Sequence, residues 1–378
     1  MRKFVFASDS FKGTLSSRDT SRLLTEAARD TFGECECVAI PMADGGEGTV
    51  DAVIYATGGS RVYADACDPL LRPIRSYYGH IDSRTAIIEM ASASGITLLN
   101  ASELNPMLTT TYGTGMLIAD ALARGYRRII IGIGGSATND GGMGCMRALG
   151  VKFYDELGAE LEGVGADLAR VNRIDATAIN RRLRNAEITV MCDVDNPLCG
   201  ASGATHTFAR QKGATDEMID ELESGMQRYQ PLLQEYTAGA ALAPGAGAAG
   251  GLGAALQVFA HAKMRSGVEM LLDLCRFDEQ IADADAVVTG EGRVDWQSAH
   301  GKVMWGIAKR CCKQQVPLIA LVGSKSGDCK AIFDCGVRKI YALTDYFTLE
   351  QALNNAEETY RSTAQCLFSD LKAQFVRQ

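Results

Sequence analysis

Along the chain, short apolar runs alternate with stretches whose apolar positions recur every three or four residues. Lys3 to Ser8 (KFVFAS) reads as a buried strand ending in a polar loop, and Ser17 to Thr31 as a helix with Leu23, Leu24 and Ala27 on one face. Val38 to Ile40 follows as a short strand and Glu47 to Ala56 as a helix, a βαβα order. The far end behaves alike. Apolar strands at Ala286 to Thr289, Leu318 to Val322 and Lys339 to Leu343 are separated by helices near Gly301 to Lys313 and Ala331 to Cys335. A helix over about Leu349 to Phe375 closes the chain. Such alternation predicts a parallel sheet covered on both faces.

Two N-terminal strands make too narrow a sheet to stand alone, whereas joined to the three C-terminal strands they give a flavodoxin-like, doubly wound parallel sheet. The fold class is therefore α/β with two domains. Residues 1–58 and 283–378 form a discontinuous first domain, and residues 59–282 an inserted mixed α/β domain. The insert has predicted strands at Ile74 to His80, Thr85 to Met90, Arg128 to Ile133, Val151 to Tyr154 and Glu187 to Cys192. Its predicted helices lie near Gly115 to Ala123, Asp216 to Tyr236 and Ala254 to Arg265. The 378-residue length agrees with two domains.

Composition narrows the partners. The formal charge of −8 argues against a surface that neutralises nucleic acid, so an anionic ligand must be met by local donors. The apolar run near the N-terminus is too short for a signal sequence, and the Ala- and Gly-rich stretch from Ala238 to Leu256 is broken by Pro244. A cytoplasmic protein without membrane contact is expected. The twelve cysteines are scattered with no CxxC pair, which suits a reducing compartment and small buried hydrophobes.

Glycine is the unusual component: 40 residues, where an average near 7% predicts about 26. The excess is clustered beside Asp, Glu, Ser, Thr and Asn, the pattern of backbone brought close to a charged ligand. Ile129 to Ile131 runs straight into GIGGSA (Gly132 to Ala137), which fits the dinucleotide pattern GxGxxA, with Asp155 about 20 residues on. The continuation Thr138, Asn139, Asp140, Gly141, Gly142 suits phosphate oxygens better, with a helix N-terminus adding its dipole. Carboxylates follow several strands: Asp9, Asp44 with Glu47, Asp193 with Asp195, and Glu291 with Asp295. Asp44 and Glu47 have a second reading as caps of the helix after them. Walker, HRD, HExxH and GxSxG motifs are absent.

DSFKGTLS (Asp9 to Ser16), PMADGGEGT (Pro41 to Thr49), GIGGSATNDGG (Gly132 to Gly142), CDVDNPLCG (Cys192 to Gly200), PGAGAAGGLG (Pro244 to Gly253) and TGEGRVDWQSAHGK (Thr289 to Lys302) together resemble the type 1 glycerate kinases. The likeness runs through nearly the whole chain and is weakest at Gly323 to Asp328. It implies ATP- and Mg²⁺-dependent phosphorylation of an alcohol group of glycerate, in a cleft between two domains. The bacterial branch it resembles acts on D-glycerate and is associated with 2-phosphoglycerate as product, in glyoxylate, glucarate and galactarate catabolism.

Under that reading the triphosphate lies on Gly134, Gly135, Ser136, Thr138, Asn139, Gly141 and Gly142. Ser10, Lys12, Asp44 and Arg293 would bind substrate, with Lys12 or Arg293 on the glycerate carboxylate. Asp193, or else Asp295, would receive the hydroxyl proton, and Asp193, Glu291 and Asp295 would meet the metal. The expected partners are glycerate and ATP, with the chain a monomer or homodimer. The alternatives are 3-phosphoglycerate as product, an NAD-dependent dehydrogenase resting on GIGGSA, and a non-catalytic sensor of a phosphorylated ligand.

Overall fold

A computed structural model describes the chain apart from Lys12, Asp44, Ala238, Ala240, residues 295–302, Asp328 and Gln378. It divides into two compact units, one of residues 1–44, 55–57 and 268–378, the other of residues 45–54 and 58–267.

In the first unit the spatial strand order is Cys35–Ala39, Arg2–Ser8, Ala286–Gly290, Leu318–Val322, Val337–Ala342, all parallel. Numbered along the chain this is 2-1-3-4-5, the flavodoxin-like order, with the crossing point between the first and third strands. The three central strands are buried along most or all of their length because helices cover both faces. Helix Ser17–Phe32 starts in a capping box, Ser16 and Asp19 satisfying each other's backbone N–H groups. Helix Ala356–Arg377 packs beside it and drives Phe368 between Phe4 and Phe6, with ring centroids 5.4 and 6.0 Å apart.

The second unit holds a mixed sheet in the order Lys263–Arg265, Glu187–Met191, Arg128–Gly132, Thr85–Glu89, Pro73–His80, Ser60–Cys67. The first four strands are parallel and the last two antiparallel. Strand Ser60–Cys67 was not expected; its edge position leaves it half polar, so no apolar run marks it. The expected helix Ala254 to Arg265 ends early, at Ala260, because His261 turns into the left-handed region (φ 49°) and Lys263–Arg265 becomes a strand. The expected strand at Val151 to Tyr154 is Lys152–Tyr154, paired with Arg173–Asp175 in a separate ribbon.

The division at 267/268 lies before the expected one at 282/283, because residues 268–281 are held to helix Val303–Gln314, Arg310 most of all. Arg310 donates to Glu269 (2.5 Å), Asp273 (2.8 Å) and Asp278 (3.0 Å), tying helices Gly267–Leu274 and Phe277–Ile281 to helix Val303–Gln314. The C-terminal helix also differs, broken at Asn355 into Leu349–Asn354 and Ala356–Arg377. No helix among the described residues is long and apolar enough to cross a membrane. All twelve cysteines are free thiols.

Phe368 has no exposed surface. Phe368→Ala is expected to cost about 3–5 kcal/mol in urea unfolding, the range for deleting a buried ring. A cost below about 1 kcal/mol would show that the aromatic cluster is not the core of its unit.

Candidate functional site

Three neighbouring parallel strands of the second unit end in register, Glu89 opposite Gly132 and Gly132 opposite Met191. The carboxyl edge of parallel strands is where α/β proteins bind ligands. From this edge leave the GIGGSATNDGG loop after Gly132 and the CDVDN loop after Met191. The segment after Asp44 folds onto them: Gly134 N–H donates to the Gly45 carbonyl at 3.1 Å. A Cβ on Gly132 would stand 2.4 Å from that carbonyl oxygen, and one on Gly134 would stand 2.8 Å from Gly46 backbone atoms. The two backbones meet only because both positions are glycine.

The second half of the loop turns inward. Thr138, Asn139 and Asp140 have no exposed surface. Asp140 Oδ2 accepts from Thr111 N and Oγ1, both at 2.7 Å, and from Gly144 N at 3.2 Å, while Oδ1 accepts from Gly142 N at 3.0 Å. Burial pushes the Asp140 carboxyl up, and these donors oppose it. Thr109 Oγ1 donates to Ala137 O at 2.9 Å and Thr110 Oγ1 to Gly163 O at 2.7 Å, so the run Thr109 to Thr111 is the scaffold of the loop. Lys212, also buried, donates from Nζ to the Thr138 carbonyl at 2.6 Å. Burial lowers its ammonium to about 7, against the pull of the Asp140 charge.

Asp193 lies two residues past Met191 and is exposed. Its Oδ1 accepts from Ser266 Oγ at 2.7 Å and Gly267 N at 3.0 Å, which orients the carboxylate. At the next strand end but one, Glu89 is 3% exposed and accepts from Val50 N at 3.0 Å.

This geometry pairs an accessible glycine turn with an oriented carboxylate, and sequence comparison gives it a family. The glycerate kinase family model matches residues 4–372. The chain belongs to the glycerate kinase family. It is 42% identical to a glycerate kinase of Bacillus cereus over 96% of both chains, and 42% identical to a glycerate 2-kinase of Escherichia coli over 94% of both. A crystal structure described as a putative glycerate kinase 2 from Salmonella typhimurium superimposes with a TM-score of 0.82 at 40% identity, covering 99% of each chain. As a member of this family the protein is a kinase.

Within this kinase the expected nucleotide contacts separate into two groups. Gly134, Gly135 and Ser136 reach the surface, whereas Thr138, Asn139, Gly141 and Gly142 are buried among protein groups. Asn139 Nδ2 donates to Thr205 Oγ1 at 3.1 Å. The helix expected to offer its N-terminus to phosphate, Met143–Ala148, has six residues, and Asp140 takes the Gly142 and Gly144 N–H groups at its start. The inward half of the motif carries the contacts that hold the loop, with Thr138 Oγ1 and Asn139 Oδ1 left without a partner among the described residues, and the outward half reaches the surface.

In the first unit Ser10 and Glu291 are half-buried and Arg293 is exposed. Ser10 N donates to Asp9 Oδ1 at 2.6 Å, and Asp9 N to Gly290 O at 2.9 Å. Arg293–Val294 pairs with Ser324–Lys325, so the stretch where the resemblance was expected to be weakest lies against one of the quoted motifs. Lys12, Asp44 and Asp295 lie outside the described residues. Glu47 is exposed and helix Thr49–Thr57 has Gly48 as its N-cap with no side-chain cap, which removes the expected capping by Glu47. Among the described residues no group of three or more His, Cys, Asp or Glu is arranged to hold a metal. Sequence reading missed Asp140, Lys212 and Glu89 as organisers. The signal for Glu89 was its place as the lone charge ending an apolar strand, and Lys212 carried none.

The buried ammonium makes stability depend on pH. The Lys212 pKa lies near 7 folded and near 10.4 unfolded, so the unfolded chain binds more protons between those values and stability rises with pH across that window. The wild type should gain in melting temperature relative to Lys212→Met from pH 7 to pH 10. A constant difference between the two would mean that Lys212 is not buried as a titrating amine.

Proposed function

We propose that this kinase transfers the γ-phosphoryl group of ATP to D-glycerate and forms 2-phosphoglycerate. The observation that carries the reading is the accessible Gly135–Ser136 turn on the strand next to the one that leads into Asp193, both leaving the same sheet edge. Backbone N–H groups of such a turn suit phosphate oxygens, and a carboxylate held by Ser266 and Gly267 suits a hydroxyl proton. The name of the Escherichia coli relative supports the 2-position.

In this reading Gly134, Gly135 and Ser136 position the triphosphate and Asp193 accepts the proton of the attacking hydroxyl. Ser10, Lys12, Asp44 and Arg293 are the proposed substrate contacts, the two cations serving the glycerate carboxylate. Mg²⁺ in kinases is held by one or two carboxylates together with phosphate oxygens, so single carboxylates after strand ends fit it without a preformed cage. Asp193, Glu291 and Asp295 are the proposed candidates, and the ion would neutralise phosphate charge.

Phosphorus NMR of the product from D-glycerate, ATP and Mg²⁺ should show 2-phosphoglycerate, and excess EDTA should stop the reaction. A 3-phosphoglycerate signal would move the transfer to the other hydroxyl, and no turnover with ATP would end the proposal. Asp193→Asn keeps size and hydrogen bonding but cannot take a proton, so kcat should fall by about 10²- to 10⁴-fold with ATP affinity little changed. Retention of more than about a tenth of kcat would pass the base role to Asp295.

A further inference from the structure

Glu89 sits at the carboxyl end of a strand in the middle of the sheet, opposite Gly132, where the GIGGSA loop begins. Its side chain turns away from solvent and accepts the Val50 N–H at 3.0 Å, with the Gly48 N–H also bonded to the carboxylate. Val50 lies in the first turn of helix Thr49–Thr57 and Gly48 is its N-cap, which has no side chain to offer. The orphan donors at this helix start are therefore met by a carboxylate from another element. The segment so fixed, residues 45–48, is the one whose backbone interlocks with Gly132 and Gly134.

We infer that Glu89 is a positioning residue of the phosphoryl-transfer reaction: as the remote cap of helix Thr49–Thr57 it holds the Gly45–Gly48 segment against the GIGGSA loop and so sets the shape of the accessible Gly134–Ser136 turn. The inference rests on the reading of that turn as the triphosphate contact. Glu89 is too buried to touch substrate, and it acts through two layers of backbone.

The groups around Glu89 give the role a distinctive signature. Burial raises its carboxyl to about 7, and the charges of Asp51 and Glu47 push in the same direction. On the neighbouring strands Tyr77 faces it, and Arg61 is engaged elsewhere, bidentate to Asp51 (2.9 Å through Nε) and stacked on the Tyr77 ring at 4.4 Å. Among the described residues no ion pair to Glu89 is seen, and the backbone donors are what oppose its protonation. Below about pH 7 the proton removes the charge-assisted character of the two bonds and slackens the cap. Stability moves the other way. The folded pKa exceeds the unfolded value of about 4.3, so the folded state binds the extra proton and is stabilised as pH falls from 7 towards 5. Activity and stability should therefore run in opposite directions across one titration, which a residue serving only to hold the fold would not produce.

The test compares wild type and Glu89→Gln between pH 5.5 and 8.5 in three measurements: kcat/KM with D-glycerate and ATP, melting temperature, and hydrogen exchange of the Val50 amide. The wild type should lose activity on an acid limb near pH 7 while its melting temperature rises relative to Glu89→Gln. The variant should be about tenfold less active at pH 8, the scale of one charge-assisted hydrogen bond, with a flat profile and faster Val50 exchange. If Glu89→Gln fails to fold, Glu89→Asp, which keeps the charge and shortens the reach, should retain the acid limb at lower activity. An unchanged limb in Glu89→Gln, or activity and stability falling together in the wild type, would overturn the inference. Should the wild type not phosphorylate D-glycerate, the functional reading fails while the exchange and melting measurements still decide whether Glu89 caps the helix.

Discussion

A carboxylate sealed from water persists in a folded protein only where protein donors replace its hydration. Asp140 meets that condition at two helix starts at once. Thr111 is the N-cap of helix Tyr112–Ala123 and Gly142 that of helix Met143–Ala148, and both deliver N–H groups to the same side chain. The favourable ends of two helix dipoles converge on one negative charge. The loop between Ala137 and Gly142 then has little freedom left. Its Thr138 carbonyl faces Lys212, its Asn139 amide reaches Thr205, and only its earlier residues emerge at the sheet edge. The accessible turn is therefore a consequence of what is buried behind it.

How far this could be read from the residues depended on the range of the interactions. The buried parallel strands were legible because burial on both faces writes itself as a continuous apolar run, as in FVFA, AVVT and LIAL. Their assembly into a sheet from both chain ends followed from the need for enough strands to bury a core. Strand Ser60–Cys67 and strand Lys263–Arg265 lie at the two edges of their sheet, where one side chain in two faces solvent and no run appears. The position of residues 268–281 was illegible for a different reason, since long-range contacts with helix Val303–Gln314 hold it, among them Arg310 with Asp273, 37 residues apart, and Gln314 with the Asp278 carbonyl.

The same division runs through the site. Glycine clusters announced the close approach of backbones, because no other residue tolerates it, and Gly132 and Gly134 are where the approach occurs. The polar letters of the motif divide. Asp140 is committed to donors of the chain and the Asn139 amide nitrogen to Thr205, whereas among the described residues Thr138 Oγ1 and Asn139 Oδ1 are buried with no hydrogen-bond partner. A dinucleotide turn leads directly into a long helix with its first N–H groups offered to a pyrophosphate. Here the following helix is short and its first donors are consumed, which distinguishes this loop from the GxGxxA fingerprint that its letters match.

Charge placement gives the arrangement its chemical sense. A chain with a net charge of −8 repels polyphosphates at long range, so attraction must be generated locally. Placing carboxylates inward accomplishes part of this. Asp140 and Glu89 are buried behind the edge with their carboxylates bonded to backbone N–H groups, so neither adds negative charge to the exposed face of the proposed phosphate turn. The exposed turn then presents peptide dipoles, which carry no net charge, do not titrate and need no counterion in the empty enzyme. Each buried acid exchanges hydration for rigidity, and under the proposed reading of the turn that rigidity would keep the dipoles aimed without reorganisation when phosphate binds. A loop of flexible lysines would attract ATP from farther away but would hold the transferring group less firmly, because each long side chain loses rotamer freedom on binding. Fixed backbone donors backed by sealed carboxylates thus favour orientation over capture, which is the greater need in a reaction whose catalysis rests on positioning and charge stabilisation.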